Sequence, residues 1–350
     1  MKSNFFEFIK NSKYPYIIAE LGANHNGDLE IAKKLIDTAK ECGSDCVKFQ
    51  SWTPSSLIAK DEFDRNTKYN DSPKKHFGSL KAMVEAYYLN EKQHFELKEY
   101  CDNVNIDFSS SPFSFEEIDL LVKLEVPFIK IASMDINNIS LLEYAAKTGI
   151  PIVLSTGMSD LSEIEIAVKT IEKQNNFQII LLHCIAIYPP KFEDINLNNI
   201  IMLKQTFGYP VGFSDHSFGT HIPLSAITLG ACIIEKHFTL DKNMPGWDHE
   251  ISADPTELKL IVKYGKEIVT SLGQFKRVVS NDEISKRTKF RRSIVVSRDM
   301  KKGDFLKKED LLFKRPGTGI PPNEVIYVIG RKLARDIDFD KLLNWEDFEI

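Results

Sequence analysis

Eight short apolar runs, spread over the first 240 residues and each closing on a polar or charged side chain, limit the fold of this 350-residue chain more than any other feature. They are YIIAEL (16–21), DCVKFQ (45–50), IDFSSS (106–111), FIKIAS (128–133), PIVLST (151–156), IILLHC (179–184), VGFSDH (211–216) and CIIEKHF (232–238). Between them lie stretches such as DLEIAKKLIDTAKECG and SEIEIAVKTIEKQ, where apolar residues recur every three or four positions before a glycine or polar turn. That alternation is expected of parallel strands buried on both faces and joined by crossover helices. Eight such units predict an α/β fold, a TIM (β/α)8 barrel, over residues 1–280. With 43% hydrophobic residues, the chain has the apolar mass for so large a core.

In a TIM barrel the active site is built at the C-terminal ends of the strands, so the closing residues are placed for chemistry. In order, the runs close near Glu20, Lys48, Ser111, Lys130 with Ser133, Ser155 with Thr156, His183 or the nearby Tyr188, Ser214 with Asp215 and His216, and Glu235 with His237. Any one has a structural explanation: Glu20 as a capping or salt-bridged carboxylate, Lys236 as a side chain pointing away from the barrel. Eight together are harder to explain by packing, because buried charges are costly unless they pair with one another or with a ligand.

Two lysines and several small hydroxyls aimed at one mouth suit a phosphate or carboxylate, and so a small phosphorylated acid. His216 and His237 end successive strands and stand on neighbouring staves near carboxylates, an arrangement that suits a divalent metal completed by water and substrate. The plainer alternative is a pair of histidines hydrogen-bonded to their neighbours. His25, in the first loop, is either a third ligand or a turn residue, and His183, inside a buried run, reads as core.

The net charge of −5 argues against a general nucleic-acid or membrane-surface protein. The N-terminal stretch MKSNFFEFIKNSKYPY has only short apolar pieces broken by Lys and Glu, so neither a signal peptide nor a spanning helix is expected and the location reads as cytoplasmic. Five cysteines, an odd number without zinc-knuckle spacing, are expected to be free thiols. After residue 280 the helical rhythm ends, and residues 281–350 alternate short apolar pieces with Gly, Pro and charge clusters, as a linker and a small second domain would. Residues 286–316 carry twelve Lys or Arg against four Asp or Glu, an excess of eight that would attract an anionic substrate. Without interleaved stacking aromatics, the stretch is a poor nucleic-acid surface.

The motifs IIAELGANHNG, VKFQ, KIAS, LSTGM, LLHC followed by YPP, GFSDHS, EKHFTLDKNMPGWDHEIS and FKRPGTGIPP, in that order, resemble those of the sialic-acid synthase family. Those enzymes condense phosphoenolpyruvate with an N-acyl amino sugar to make nine-carbon nonulosonic acids, and the resemblance covers nearly the whole chain. It implies that Lys48, Ser111, Lys130, Ser133, Ser155 and Ser214 hold phosphoenolpyruvate and that His216 and His237 bind Mn2+ or Mg2+. Glu20 matches the glutamate near the metal and the reacting carbons, either as base or as electrostatic stabiliser, while Asp135, Tyr188 and Asp248 match acceptor-sugar positions. The tail resembles the antifreeze-like (SAF) domain, which in the family reaches to a partner subunit's barrel. A domain-swapped homodimer is thereby implied, with Arg315 of KRPGTG on the acceptor sugar.

Two departures leave the sugar open between N-acetylmannosamine and a 2,4-diacetamido-trideoxyhexose. Ala186 stands where the N-acetylneuraminate branch has asparagine, and GWDH replaces a glycine-proline-aspartate, which makes the pocket less polar and favours a modified acceptor. Three alternatives carry less. A synthase for a phosphorylated aldose would not need the antifreeze-like tail. A metal-dependent barrel hydrolase needs more ligands than two histidines and has little use for the lysines. A non-catalytic sugar- or ice-binding protein has no reason to gather Glu20, two lysines and two histidines. In the condensation, positive charge develops at C2 of phosphoenolpyruvate and a proton acceptor is needed there, which gives a strand-end carboxylate its purpose.

Overall fold

The structure, a computed structural model, describes residues 5–66 and 79–349, so the first four residues of the N-terminal stretch lie outside the described part. Eight parallel strands form one sheet: β1 (Tyr16–Gly22), β2 (Cys46–Ser51), β3 (Asp107–Pro112), β4 (Ile129–Ile131), β5 (Ile152–Ser155), β6 (Ile179–Cys184), β7 (Val211–Asp215) and β8 (Ile233–His237). Their order, β3-β2-β1-β8-β7-β6-β5-β4, sets β1 beside β8. At the remaining seam, between β3 and β4, the Ser109 hydroxyl donates to the Phe128 carbonyl at 2.8 Å. No backbone ladder joins those two strands among the described residues, so the expected barrel is nearly closed.

Side chains along each strand alternate between faces with a period of two. One set, Tyr16, Ile18, Cys46, Phe128, Val153, Ile180, Leu182 and Ile233, forms an apolar cluster inside the barrel, with Phe5 and Ile9 of the helix Phe5–Asn11 packed into it. The other set, including Ile17, Ala19, Val47, Ile129, Leu154, Leu181 and Ile234, packs against the surrounding helices. Two positions beyond the inner cluster come Glu20, Lys48, Lys130, Ser155, Cys184 and Glu235, so the same parity that fills the core delivers a polar layer above it. Gly212 lies where a Cβ would stand 2.6 Å from both Leu182 Cδ2 and the Ile233 carbonyl, so only glycine fits.

The crossover helices follow from their sequences. In Leu29–Cys42 the Asp28 side chain accepts from the Glu30 and Ile31 N–H groups, and Gly43 ends the helix in a left-handed conformation at φ 89°. Its buried face carries Ala32, Leu35, Ile36 and Ala39, and burying each of the two larger side chains contributes roughly 1.5–3 kcal/mol.

The chain divides into two compact units, Met1–Gly273 and Gln274–Ile350. The second has its own core of Ile294, Val296, Met300, Leu306, Leu333, Leu343 and Phe348, and an antiparallel pair, β9 (Ser293–Val296) with β10 (Leu311–Lys314). The linker region holds two short helical segments, Asn281–Ser285 and Arg287–Phe290. Among the described residues no helix is long and apolar enough to cross a membrane, and all five cysteines are unpaired.

Candidate active site

The ends of the strands surround a cleft of about 230 Å3. Glu20, Lys48, Ser111, Lys130, Ser133, Ser155, Tyr188, Ser214, His216 and His237 all line it. The cleft therefore brings together ten of the thirteen residues to which the family resemblance gives a role.

Its floor is a buried cluster of two carboxylates and two ammonium groups. In the β1–β2 register Glu20 stands level with Lys48, and the two side chains form an ion pair. Lys48 Nζ also lies 3.7 Å from Glu235 Oε2 and donates to Ser111 Oγ at 3.2 Å. Lys130 Nζ lies 3.8 Å from Glu235 Oε1 and donates to Ser155 Oγ at 2.7 Å. Gln50 Nε2 donates to Glu20 Oε1 at 3.0 Å, and Ser214 Oγ to Glu235 Oε1 at 2.8 Å.

Burial raises the Glu20 carboxyl to about 7, with Lys48 opposing and Glu235 reinforcing the shift. Burial acts on Glu235 in the same sense, but Lys130, Lys48 and the Ser214 bond outweigh it and hold that carboxyl below the usual range. Lys130 is lowered by burial; on Lys48 the same penalty is overcome by Glu20 and Glu235, which raise it. An anion entering this cleft meets two desolvated ammonium groups and four serine hydroxyls already engaged in hydrogen bonds.

His216 and His237 approach with ring centroids 5.5 Å apart, and the Tyr188 ring lies tilted by 37° at 4.1 Å from the first. His216 Nδ1 lies 2.8 Å from the Ile185 carbonyl, which can only accept, so Nδ1 carries a hydrogen. Burial lowers this imidazole, but Cys184, the Ile185 carbonyl and Asp215 outweigh it and raise the ring above its usual range. His237 Nδ1 is buried without a hydrogen-bond partner, 3.8 Å from Asp248 Oδ2. Burial, then His216 and Lys48, hold that ring far below the usual imidazole range and hence neutral. Two imidazoles, one oriented by a backbone carbonyl and one held neutral with an orphaned nitrogen, suit a divalent metal, which would displace any proton from the ring nitrogen it takes. Among the described residues no group of three or more His, Cys, Asp or Glu is arranged to hold an ion, so any further ligands would come from substrate and water.

The other singled-out residues lie off this lining. Asp135, in the turn Ser133–Asp135, keeps Oδ2 buried without a hydrogen-bond partner, and burial raises its carboxyl. Asp248 approaches His237 as described. Arg315 belongs to the C-terminal unit, where its guanidinium lies 5.2 Å over the Phe290 ring and lines a separate cavity of about 670 Å3. His25 is a turn residue: its Nδ1 accepts the Gly27 N–H at 3.0 Å, and it does not line the cleft. His183 sends Nε2–H to the Ile195 carbonyl at 2.6 Å, as a core histidine would. Lys236 faces outward and pairs with Asp215 at 2.6 Å.

Among the polar and ionisable residues of the cleft, the sequence pattern leaves Gln50 and Cys184 without a role and marks Glu235 only as closing its strand. Glu235 precedes His237 by two and Gln50 follows Lys48 by two, so strand parity places each on the face of its partner.

Residues 35–277 match the model of the NeuB family, and residues 291–349 that of the SAF domain. The chain is 40% identical over 338 residues to the N,N'-diacetyllegionaminic acid synthase of Legionella pneumophila, covering 95% of this chain and 94% of that protein. It is 36% identical over 341 residues to the pseudaminic acid synthase of Helicobacter pylori, covering 96% and 98% respectively. The crystal structure of N-acetylneuraminic acid (sialic acid) synthetase from Leptospira borgpetersenii in complex with citrate matches with a TM-score of 0.70. That match has 37% sequence identity and covers 79% of this chain and 91% of the other.

Proposed function

This chain belongs to the NeuB family, and on that premise we propose which of its residues perform the family's reaction and on which sugar. The protein is a nonulosonic acid synthase: it condenses phosphoenolpyruvate with an amino sugar and releases phosphate. The observation that carries the residue assignment is the buried Glu20–Lys48–Glu235–Lys130 cluster in one cleft with two histidines.

Lys48 and Lys130, with Ser111, Ser133, Ser155 and Ser214, hold the phosphate and carboxylate of phosphoenolpyruvate. Their fixed donors need no reorganisation when charge shifts during the reaction. C3 of phosphoenolpyruvate attacks the aldehyde carbon of the sugar, using the enol double bond to form the new carbon–carbon bond, while the aldehyde oxygen takes up a proton. C2 is left oxocarbenium-like; water adds to it and gives a proton to Glu20. The bond from C2 to the phosphate oxygen then breaks, the departing phosphate takes the proton of the new C2 hydroxyl, and the 2-keto acid is left. When bound by His216 and His237, Mn2+ or Mg2+ supplies Lewis-acid polarisation of the aldehyde oxygen. The buried carboxylate of Glu20, raised to about 7, is matched to a base working near neutral pH.

The proposed acceptor is a 2,4-diacetamido-trideoxyhexose, held by Asp135, Tyr188 and Asp248. Ala186 contributes only a methyl group to the cleft, and Trp247 packs on an apolar cluster of Ala23, Trp52, Leu80, Met83, Val84 and Tyr87. A deoxygenated sugar suits such walls better than a fully hydroxylated one. A domain-swapped homodimer in which Arg315 meets the acceptor, and a cytoplasmic location suited to five unpaired cysteines, complete the proposal. The test is phosphate release from phosphoenolpyruvate with Mn2+, run with N-acetylmannosamine, diacetamido-trideoxyhexoses and arabinose 5-phosphate. Release dependent on a diacetamido sugar supports the assignment, and preference for N-acetylmannosamine overturns the choice of acceptor.

A further inference from the structure

The loop after β1 grips the loop after β8 through two asparagines. Asn24 Nδ2 donates to the Phe238 carbonyl and to Ser252 Oγ, each at 2.8 Å. Ser252 Oγ donates onward to the Asp248 carbonyl at 2.7 Å. Asn26 Nδ2 donates to the Pro245 carbonyl at 2.9 Å, while its Oδ1 lies 3.2 Å from His249 Nε2. On the far side of that imidazole, His249 Nδ1 lies 2.6 Å from Thr239 Oγ1. Asp248 is therefore held twice, through its own carbonyl and through the ring that follows it in the chain.

The direction of these bonds can be deduced. Asn26 spends its amide hydrogens on Pro245 and offers His249 only an acceptor, so Nε2 carries the ring hydrogen. Burial pushes the His249 imidazole down to about 4, so the ring is neutral and Nδ1 is a bare lone pair. The Thr239 hydroxyl, with one hydrogen and two acceptors in reach, turns it to Nδ1 at 2.6 Å over the Asp241 carbonyl at 3.1 Å. The chain of donors runs from Thr239 to His249 to Asn26 to Pro245, and a single tautomer satisfies it. Gly246 closes the arrangement: a Cβ there would stand 2.4 Å from His249 Cδ2 and 2.7 Å from Asn26 Oδ1.

We propose that His249 is a positioning residue for the acceptor sugar, locking the β8 loop through Asn26 and Thr239 so that the Asp248 carboxylate is presented beside His237. The proposal rests on the reading of Asp248 as an acceptor contact. His249 itself touches no reacting atom, so its removal should alter sugar binding and spare phosphoenolpyruvate, whose proposed ligands sit on other strands. A ring that served stability alone would move both substrates' constants together or neither.

The experiment compares full-length wild type with His249→Ala, His249→Gln and Gly246→Ala. His249→Ala is expected to raise the acceptor KM at least tenfold and to leave the phosphoenolpyruvate KM within twofold. His249→Gln, whose amide can still donate to Asn26, should recover much of the loss, and Gly246→Ala should reproduce the loss with the histidine in place. Equal changes in both KM values, or none in folded variants, overturn the proposal. If wild type turns over no amino sugar, the reading of the site fails, and the brace is judged by nitrogen NMR and amide exchange. Nε2–H with bare Nδ1 at His249, and an Asp248 amide that exchanges slowly only while the histidine is present, support the brace. The opposite tautomer, or the same exchange with and without the ring, overturns it.

Discussion

Glu20 and Glu235, on adjacent strands, share the ammonium of Lys48, yet the barrel drives their carboxyls in opposite directions. Glu235 has a second ammonium at 3.8 Å and the Ser214 hydroxyl at 2.8 Å, which offset its burial. Glu20 has one ammonium and an amide, and burial prevails. Two carboxyls separated in this way fit the proposed division of work, with Glu235 ionised beside the lysines and Glu20 as the proposed proton acceptor near neutrality.

Glu20→Gln should lower kcat by about 10²–10⁴-fold while phosphoenolpyruvate still binds. If Glu20 is the base, as proposed, its carboxylate form is the active one, so wild-type kcat/KM should rise with pH through about 7 and the variant should lack that limb. Stability has the opposite sign. Between the ordinary carboxyl value of 4.5 and about 7 the folded state binds more protons than the unfolded, so the contribution of Glu20 is full below that window and lost as pH rises through it. Urea titrations at the two ends of the window should show a smaller pH dependence in the variant; an equal one removes Glu20 as its source.

Lys130→Met should weaken phosphoenolpyruvate binding by at least about tenfold in calorimetry, since one hydrogen-bonded, desolvated ammonium is worth more than an exposed one. Acceptor KM should change little by comparison. A variant that binds phosphoenolpyruvate as wild type does would take Lys130 out of the anion site.

Chelation should abolish phosphate release, and Mn2+ or Mg2+ should restore it. His237→Ala should bind Mn2+ at least about tenfold more weakly, measured by its paramagnetic signal, because only His216 would remain of the two imidazoles. Full activity after exhaustive chelation would return the two histidines to the plainer role of hydrogen-bonded neighbours.

The barrel was legible because strand burial and strand parity are local properties: YIIAEL or CIIEKHF states both which residues are buried and which alternate. Parity alone turns Lys236 outward and Glu20 inward. The work of Glu235 was not legible, since it depends on Lys48 and Lys130 arriving from β2 and β4, and no local pattern in EKHF records them. The brace around Asp248 was hidden for the same reason. Asn24 and Asn26 find their partners 214 and 223 positions away, and in sequence they look like ordinary turn residues before a helix.

Lys236→Met tests the two faces of β8 against each other. Lys236 Nζ donates to Asp215 Oδ2 and to the Ser217 carbonyl, both at 2.6 Å, on the helix side of the barrel, where both side chains are buried. Removing the ammonium leaves a buried carboxylate supported only by the Ser217 N–H and hydroxyl, and should cost about 3–5 kcal/mol of stability in urea. Adding Asp215→Asn should return part of that, because the uncompensated charge goes with it. Phosphoenolpyruvate binding should stay within about twofold throughout, since the ion pair lies outside the cleft. A loss of binding as large as that of Lys130→Met, at unchanged stability, would mean that Lys236 serves the substrate and that the assignment of faces along β8 is wrong.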